Sequence, residues 1–430
     1  MIMNKVIVIG AGLAGCEAAI TLAQNGYKVQ LVDMKPEKRS PAHTLDGPAE
    51  IVCSNSLGAE EITTGAGLFK EEMKLLGVNL LEFAYGSRVE AGRALAVDRD
   101  IFSELVTKRL IELDVDIVNK EIEDFPIKSD SPVIYATGPL TSDGLAANML
   151  EYFGEKKFFF YDAIAPVIYE DSIDYSRAFI GGRYQTDAGD YINCPMTQEE
   201  YDRFYEALIN AEQHPMKDFE KKKFFEGCMP VEEIASRGPK TLVFGPMRPV
   251  GFEHYIDYKP KAVLQLRKDN KSGTMYNMVG FQTNLKYGEQ KRVFRLIPGL
   301  EKARFARHGR MHKNIYVNTP EKLDEQLKVK GLNNIYIAGQ LTGVEGYLES
   351  IFTGWYAARC IIDKKRPFLP LDSMSGALID YILNFDGKRF QPMNVNFGLL
   401  PPPADKIKDK KLKKKTMAER ALASIEREIS

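Results

Sequence analysis

Glycines and one acid near the start of the chain have the spacing of a dinucleotide-binding site. Gly10 permits a tight turn, Gly12 lets a pyrophosphate approach the backbone, and Gly15 allows a helix to pack closely on a strand. The helix N-terminus would face the phosphates, and Asp33, at the end of the next apolar run, stands where a carboxylate bonds ribose hydroxyls. The glycine run reads Gly10, Ala11, Gly12, Leu13, Ala14 and Gly15.

Two later motifs indicate that the dinucleotide is FAD. One β-like run ends in Ala136, Thr137 and Gly138, and a second leads into Gly339, Gln340 and Gly343. In two-dinucleotide-fold flavoproteins these pieces complete a discontinuous FAD domain, so we expect them to bind the cofactor. Gln340 stands where Asp is usual, which predicts an amide contact to the ribityl or phosphate region. A second glycine fingerprint is absent, so NADH or NADPH would bind as reductant without its own Rossmann domain.

The order of the strands and helices that must position these motifs predicts an α/β fold. A Rossmann-like FAD-binding domain would comprise residues 1–150 and 326–430, with a smaller α+β substrate domain inserted at 151–325. Short runs rich in Tyr and Phe, and one helix near Glu199 to Glu212, mark the insertion. A chain of 430 residues that is 44% hydrophobic is long enough for two or three domains.

Composition excludes several classes of protein. The net charge of −1 gives no overall attraction for nucleic acid, so any polyanion must bind a local patch. No membrane span or signal peptide is evident, and we expect a cytoplasmic protein. Five cysteines without a CxxC pair predict free thiols and no zinc site. His308 and His312 have the spacing of a metal pair but no HExxH acid, so no metal is expected. There is also no GxSxG element of a serine hydrolase.

Basic residues leave two interpretations open. The lysines near the C-terminus could be a solvated, frayed segment or could contact RNA phosphates. After them, Thr416 and Glu419 predict a capping box that starts a helix. The cluster comprises Lys406, Lys408, Lys410, Lys411, Lys413, Lys414 and Lys415. A second set could form a basic surface or be ordinary solvated charges, namely Arg88, Arg93, Arg99, Arg237, Lys240, Lys286 and Lys291.

Long ordered blocks resemble the folate- and FAD-dependent RNA uracil-5-methyltransferases over nearly the whole chain. The blocks are AEIVCSNSL, ALAVDRD, GPLTSDGL, DYINCPM, FEGCMPVEEIASRGPKTLVFGPMRPVG, VGFQTNLKYGEQKRVFRLIPGLE and GQLTGVEGYLES. Departures from the family pattern are Asp33, Gly58, Glu90 and Ile351 to Thr353.

The resemblance implies specific chemistry. C5 of uracil becomes nucleophilic only after a thiolate adds at C6. By resemblance Cys228 is that nucleophile and Cys53 is the second active-site thiol, although either could attack. The resemblance also implies 5,10-methylenetetrahydrofolate as donor, with one-carbon unit and hydride both passing through FAD. His312 would stack on the folate and Tyr347 would lie at the flavin face. The remaining thiols are expected to be buried hydrophobes, namely Cys16, Cys194 and Cys360.

Three functions remain open at this stage. The first is methylation of the T-loop uridine of tRNA. The second is the same chemistry on a 23S rRNA uridine, which the departures at Gly58 and Ile351 to Thr353 keep open. The third is a non-methylating FAD oxidoreductase or a partner flavoprotein in tRNA modification. The oligomeric state cannot be read from the sequence.

Overall fold

The computed structural model describes residues 5–40, 42–154, 159–184, 189–215 and 229–430. Within them the strands are β1 (Lys5–Ile9), β2 (Lys28–Asp33), β3 (Ser56–Ala59), β4 (Arg88–Val89), β5 (Ala94–Val97), β6 (Asp116–Asn119), β7 (Val133–Tyr135), β8 (Phe159–Ile164), β9 (Val167–Tyr169), β10 (Phe179–Ile180), β11 (Tyr191–Met196), β12 (Ala262–Lys268), β13 (Met275–Met278), β14 (Phe305–Arg307), β15 (Arg310–Ile315) and β16 (Ile335–Ile337).

The α-helices in the same residues are α1 (Leu13–Gln24), α2 (Gly65–Leu75), α3 (Leu80–Gly86), α4 (Arg99–Glu112), α5 (Asp143–Phe153), α6 (Gln198–Ile209), α7 (Val231–Ser236), α8 (Thr241–Phe244), α9 (Tyr287–Phe294), α10 (Thr319–Lys322), α11 (Tyr347–Asp363), α12 (Met374–Asn384) and α13 (Lys410–Ile429).

A five-stranded parallel sheet holds the two glycine motifs, with strand order β16-β7-β1-β2-β6. The first strand is apolar because both faces of a parallel sheet are covered, and β1, α1 and β2 form the first βαβ unit. Strand β16 pairs with β7 in parallel, with Ile335 opposite Val133. The late segment therefore completes a sheet begun by the first third of the chain. The α/β fold class and the discontinuous cofactor fold are confirmed.

Helix α1 lies between this sheet and α11. Its residues from Leu13 to Leu22 are all buried, which requires the apolar composition of this stretch. The backbones come very close, since a Cβ built on Gly354 of α11 would lie 2.1 Å from the Ala14 carbonyl oxygen. Only glycine fits there, and it brings the N-terminal halves of both helices to the same edge of the sheet.

A second core surrounds an antiparallel six-stranded sheet in the middle of the chain, with order β10-β11-β12-β13-β9-β14. Helices α6, α7 and α9 contribute Phe204, Val231 and Phe294 to this core. Strands β8 and β15 pair in a separate ribbon. Helix α6 confirms the helix predicted near Glu199 to Glu212. The boundaries at residues 150 and 325 stay predictions.

The start of the C-terminal helix differs from the prediction. Helix α13 begins at Lys410, and the Asp409 carboxylate accepts the Leu412 N–H at 2.6 Å as its cap. Thr416 lies inside the helix, where its hydroxyl donates to the Leu412 carbonyl. The predicted capping box at Thr416 and Glu419 is wrong, as is a frayed lysine segment, because an aspartate seven residues before Thr416 provides the cap. Among the described helices, none is long and apolar enough to cross a membrane.

Candidate active site

A cavity of about 550 Å³ opens where four parallel strands end. Strands β1, β2, β7 and β16 lead directly into Gly10, Asp33, Ala136 and Gly339, and all four residues line it. Ligands of open parallel α/β sheets bind at this carboxyl edge. Ala11, Gly12, Leu13, Ala14, Thr137, Gly138, Gln340 and Tyr347 also line the cavity. The topology thus brings most of the predicted cofactor residues to one place.

The three fingerprint glycines have distinct environments. Gly10 has a φ of +101°, and a Cβ there would lie 2.7 Å from the Ala136 carbonyl oxygen. A Cβ on Gly15 would lie 1.8 Å from the carbonyl oxygen of Gly10, so α1 can approach β1 only through glycine. A Cβ on Gly12 would meet no protein atom within 4 Å. Gly12 therefore borders open space at the N-terminus of α1, the space that a pyrophosphate requires.

The Asp33 carboxylate lies beside this loop. Its Oδ2 accepts the Ala11 N–H at 2.6 Å, and its Oδ1 accepts the Lys35 N–H at 2.9 Å. Each carboxylate oxygen can accept a further hydrogen bond. The acid is thus fixed against the backbone and retains acceptor capacity for ribose hydroxyls.

Gln340 bonds an acid rather than projecting alone into the cavity. Its Nε2 donates to Oε2 of Glu345, which is also buried and lines the cavity. Burial, together with the nearby charge of Asp162, raises the pKa of Glu345 well above its ordinary value. Gly343 is absent from the cavity lining and instead donates its N–H to the Gln340 carbonyl.

Cys53 is held at the cavity wall by contacts from distant parts of the chain. Its backbone N–H donates to the Tyr347 hydroxyl at 2.9 Å, at the start of α11. Its carbonyl accepts from the Arg99 guanidinium at 2.7 Å, and Arg99 also pairs with Asp269 at 2.8 Å. Two of the predicted site residues, Cys53 and Tyr347, are therefore in direct contact. Both line the same cavity.

The Cys53 thiol is protonated in this environment. Burial, with a further contribution from the Asp162 carboxylate, raises its pKa to about 12, while Arg99 acts in the opposite direction. The Arg267 guanidinium donates to the Ser54 hydroxyl and to the Asn55 amide oxygen, which fixes the loop after the cysteine. Guanidinium groups therefore bond the loop on both sides of the thiol.

One buried amide that lacks a hydrogen-bond acceptor supports the binding of a polar ligand in the cavity. Asn277 on β13 is 2% exposed and lines the cavity, and its Nδ2 has no hydrogen-bond partner in the described residues. A buried amide donor without a partner costs free energy, so a carbonyl-bearing ligand would satisfy it. The open space at Gly12, the acceptor at Asp33 and this donor fit FAD together with a heterocyclic substrate.

Sequence reasoning did not identify Asn277, Arg267, Asp162 or Glu345. Alternation gave a misleading signal, because Arg267 and Asn277 alternate with the core residues Leu266 and Met278 and so suggest a solvent-facing side of their strands. Both residues belong to the six-stranded antiparallel sheet, and both lie on the face of that sheet that lines the cavity.

The other predicted thiols and His312 are not among the described residues that line the cavity. The backbone of His312 on β15 pairs with Asp162, and its side chain is outside the described part of the structure. Cys228 lies outside the described residues altogether. Cys16, Cys194 and Cys360 are fully buried, as expected for thiols with a packing role.

Four of the seven residues grouped as an alternative basic surface form ion pairs. Arg88 pairs with Glu60 at 2.5 Å, Arg93 with Glu61 at 3.3 Å, and Lys286 with Glu212 at 2.6 Å. Arg99 is buried against Asp269. At these four positions the pairing and burial favour the alternative of ordinary structural charges, and the basic surface stays a prediction.

Comparison with known proteins agrees with this geometry. Residues 5–366 match the family model of glucose inhibited division protein A. The fold matches GidA of Aquifex aeolicus with a TM-score of 0.69 and 16% identity, covering 99% of this chain and 74% of that one.

Relatives similar over their full length carry one name, methylenetetrahydrofolate–tRNA-(uracil-5-)-methyltransferase TrmFO. The protein from Caldicellulosiruptor bescii is 51% identical over 97% of both chains. The protein from Aquifex aeolicus is 50% identical over 99% of this chain and 96% of its own. With an FAD cavity that contains Cys53 and Tyr347, and with half of its residues identical to these relatives, this chain belongs to the TrmFO family.

Proposed function

We propose that this protein methylates C5 of a uridine in tRNA, with 5,10-methylenetetrahydrofolate as the one-carbon donor and FAD as the cofactor. The observation that carries the proposal is the position of Cys53. It lies in the wall of the cavity that the FAD fingerprint forms, bonded to Tyr347. Bound FAD would supply transfer of the one-carbon unit and of electrons, with NADH or NADPH as the reductant.

The proposal gives the two thiols different roles in the reaction of the uracil ring. A thiolate must add to C6 before C5 can react, and we assign that role to Cys228. Three residues after it, the Val231 N–H donates to the carbonyl of Gln282, a residue that lines the cavity. The raised pKa of Cys53 supports the second role, a neutral thiol that can hold or donate a proton.

The remaining groups bind and orient. Asn277 supplies a buried amide donor for a carbonyl oxygen, and Arg267 keeps the loop after Cys53 in place. His312 stacks on the folate ring in this proposal, and Tyr347 positions the backbone of Cys53. A uridine must leave its stack to enter the cavity, which costs a few kcal/mol that such contacts offset.

tRNA is favoured over the rRNA alternative because the relatives' names specify it. A non-methylating flavoprotein would not need Cys53 enclosed beside the cofactor cavity. Action on tRNA also supports the expectation of a cytoplasmic protein.

The test is transfer of label into RNA. The purified protein, with a flavin reductant and radiolabelled methylenetetrahydrofolate, should transfer label to unmodified tRNA, and mass mapping should place it at C5 of one uridine. Parallel reactions with labelled S-adenosylmethionine should transfer none. Label from S-adenosylmethionine, or folate-derived label in 23S rRNA only, would refute the proposal.

A further inference from the structure

The first two turns of α13 form a concentrated positive patch. Its residues, which we call the lysine cluster, are Lys410, Lys411, Lys413, Lys414 and Lys415, and all five are exposed. Among the described contacts, Lys415 pairs with Glu419 at 3.7 Å, and no ion pair involves the other four. The patch lies on a chain whose net charge is −1. Positive charge therefore exceeds negative charge locally, although the chain as a whole is almost neutral.

This arrangement opposes the stability of its own helix. Cations near a helix N-terminus meet the positive end of the helix dipole, which is unfavourable. Lys410 and Lys414, and likewise Lys411 and Lys415, are like charges at i and i+4, which repel each other. A bound polyanion would offset both the dipole effect and the repulsion between lysines. Unfavourable local arrangements of this kind are typical of functional sites.

The orientation of the cluster is also unusual. Helical periodicity places Lys410 and Lys414 on the same side as Met417 and Ala421. Met417 and Ala421 are buried, and α13 packs against α2. Lys410 and Lys414 on that side remain exposed. The first two turns thus present lysines where the rest of the helix presents core residues.

The segment 394–397 links the lysine cluster to the lining of the cofactor cavity. The Lys414 Nζ is 5.6 Å from the centroid of the Phe397 ring. Just before Phe397, the Val395 backbone contacts the start of α2, since a Cβ on Gly65 would lie 2.4 Å from the Val395 carbonyl oxygen. Asn394 and Ala66, the neighbours of these two residues, line the cavity. Three positions along the chain therefore separate Phe397, which Lys414 contacts, from Asn394 in the cavity lining.

We infer that the lysine cluster binds the phosphate backbone of the tRNA strand next to the uridine that enters the cavity. The inference rests on the proposed function and adds the surface on which the RNA lies. Phosphate contacts of this kind position a nucleic acid without reading its sequence. An anionic membrane is disfavoured, because the apolar side of α13, which includes Met417, Ala418, Ala421 and Ile425, is already buried in the protein.

The experiment compares two variants that each remove five positive charges from the FAD-loaded protein. The test variant carries glutamine at Lys410, Lys411, Lys413, Lys414 and Lys415. The control variant carries glutamine at five exposed lysines elsewhere, Lys5, Lys28, Lys108, Lys259 and Lys302. Binding of an unmodified tRNA transcript is measured over a range of salt concentrations without folate or reductant. Methylation kinetics are measured separately.

The test variant should bind tRNA about tenfold or more weakly at low salt, and its salt slope should flatten by roughly 0.7 to 0.9 log units per lost contact. Its KM for tRNA should rise while kcat and FAD content stay close to wild type. Its melting temperature should be unchanged or higher, because repulsion has been removed. The control variant should retain the wild-type salt slope.

An unchanged tRNA affinity and salt slope in the test variant would overturn the inference, as would an equal loss in the control variant. Vesicles of phosphatidylglycerol and phosphatidylcholine provide a third arm, and lysine-dependent vesicle binding with unaltered tRNA affinity would also overturn it. Failure of the wild type to methylate tRNA would refute the proposed function alone, since binding is measured without turnover.

Discussion

The hydroxyl of Tyr347 accepts a hydrogen bond from the backbone N–H of Cys53 at 2.9 Å. The bond joins the first residue of α11 to a loop almost 300 positions earlier in the chain. It couples two parts of the cofactor cavity, the helix that faces the ligand and the segment that carries the thiol. The orientation of Cys53 therefore depends on the position of α11.

Replacement of Tyr347 with Phe tests this coupling. The Cys53 N–H would lose its acceptor, which should lower the free energy of unfolding by about 1–3 kcal/mol. Turnover should fall while FAD stays bound. Urea denaturation and methylation kinetics measure the two effects. Tyr205→Phe is the control, since its hydroxyl donates to the Ala235 carbonyl away from the cavity. Equal, unimpaired turnover in both variants would separate Tyr347 from the reaction.

Replacement of Gly12 with Val should empty the cofactor site. The added side chain would enter the open space at the N-terminus of α1, where a pyrophosphate must approach the backbone. The wild-type protein should be yellow with one FAD per chain, and the variant should be colourless. Gly288→Val is the control, because that glycine on α9 also has no protein atom within 4 Å of a built Cβ. Full flavin content in Gly12→Val would contradict the assignment.

The raised pKa of Cys53 predicts a specific pH dependence. With a pKa of about 12, the thiolate fraction rises about tenfold per pH unit between pH 7 and pH 10, and alkylation by iodoacetamide should rise equally. Asp162→Asn removes a negative charge that disfavours the thiolate, so the pKa should fall and alkylation should accelerate. Mass spectrometry of the Cys53 peptide measures the rate, with Asp174→Asn as a surface control. A rate that levels off below pH 9 would be inconsistent with this environment.

The five thiols should fall into two groups. Cys228→Ala should abolish methylation and any covalent adduct with tRNA that contains 5-fluorouracil, because C6 would lack its nucleophile. Cys53→Ala should reduce turnover severely while FAD remains bound. Cys16, Cys194 and Cys360 are buried in the cores, so their Ala variants should lose stability and retain activity. If Cys228→Ala methylates tRNA at close to the wild-type rate, the nucleophile must be a residue other than Cys228.

Local patterns were enough to predict the cofactor half of the site. The turn at Gly10, the helix after Gly12 and the acid at Asp33 depend on residues close together in the chain, so their spacing carries the information. Gln340 was placed in the cavity from the same kind of pattern. Its bond to Glu345 was not predicted, because a side-chain partner depends on packing.

The enclosure of Cys53 could not be predicted in this way. Arg99 meets Asp269 across 170 positions, and Arg267 meets Ser54 across 213. No local periodicity encodes such pairs, and Arg99 was grouped with surface charges for that reason. The predicted start of α13 was wrong for a simpler reason. The lysines were treated as a segment separate from the helix, although Asp409 before them could cap it.

The position of β16 has a consequence for synthesis of the protein. Strand β7 lies between β1 and β16, so one edge of β7 has no partner while the ribosome adds the residues between Tyr135 and Ile335. At about 5–20 residues per second, that interval lasts roughly 10 to 40 s. During it the antiparallel sheet can fold first, while the nascent FAD fold exposes an apolar edge that invites aggregation. Emergence of β16 and α11 closes that edge and completes the cavity, so chain completion and FAD capture should occur together.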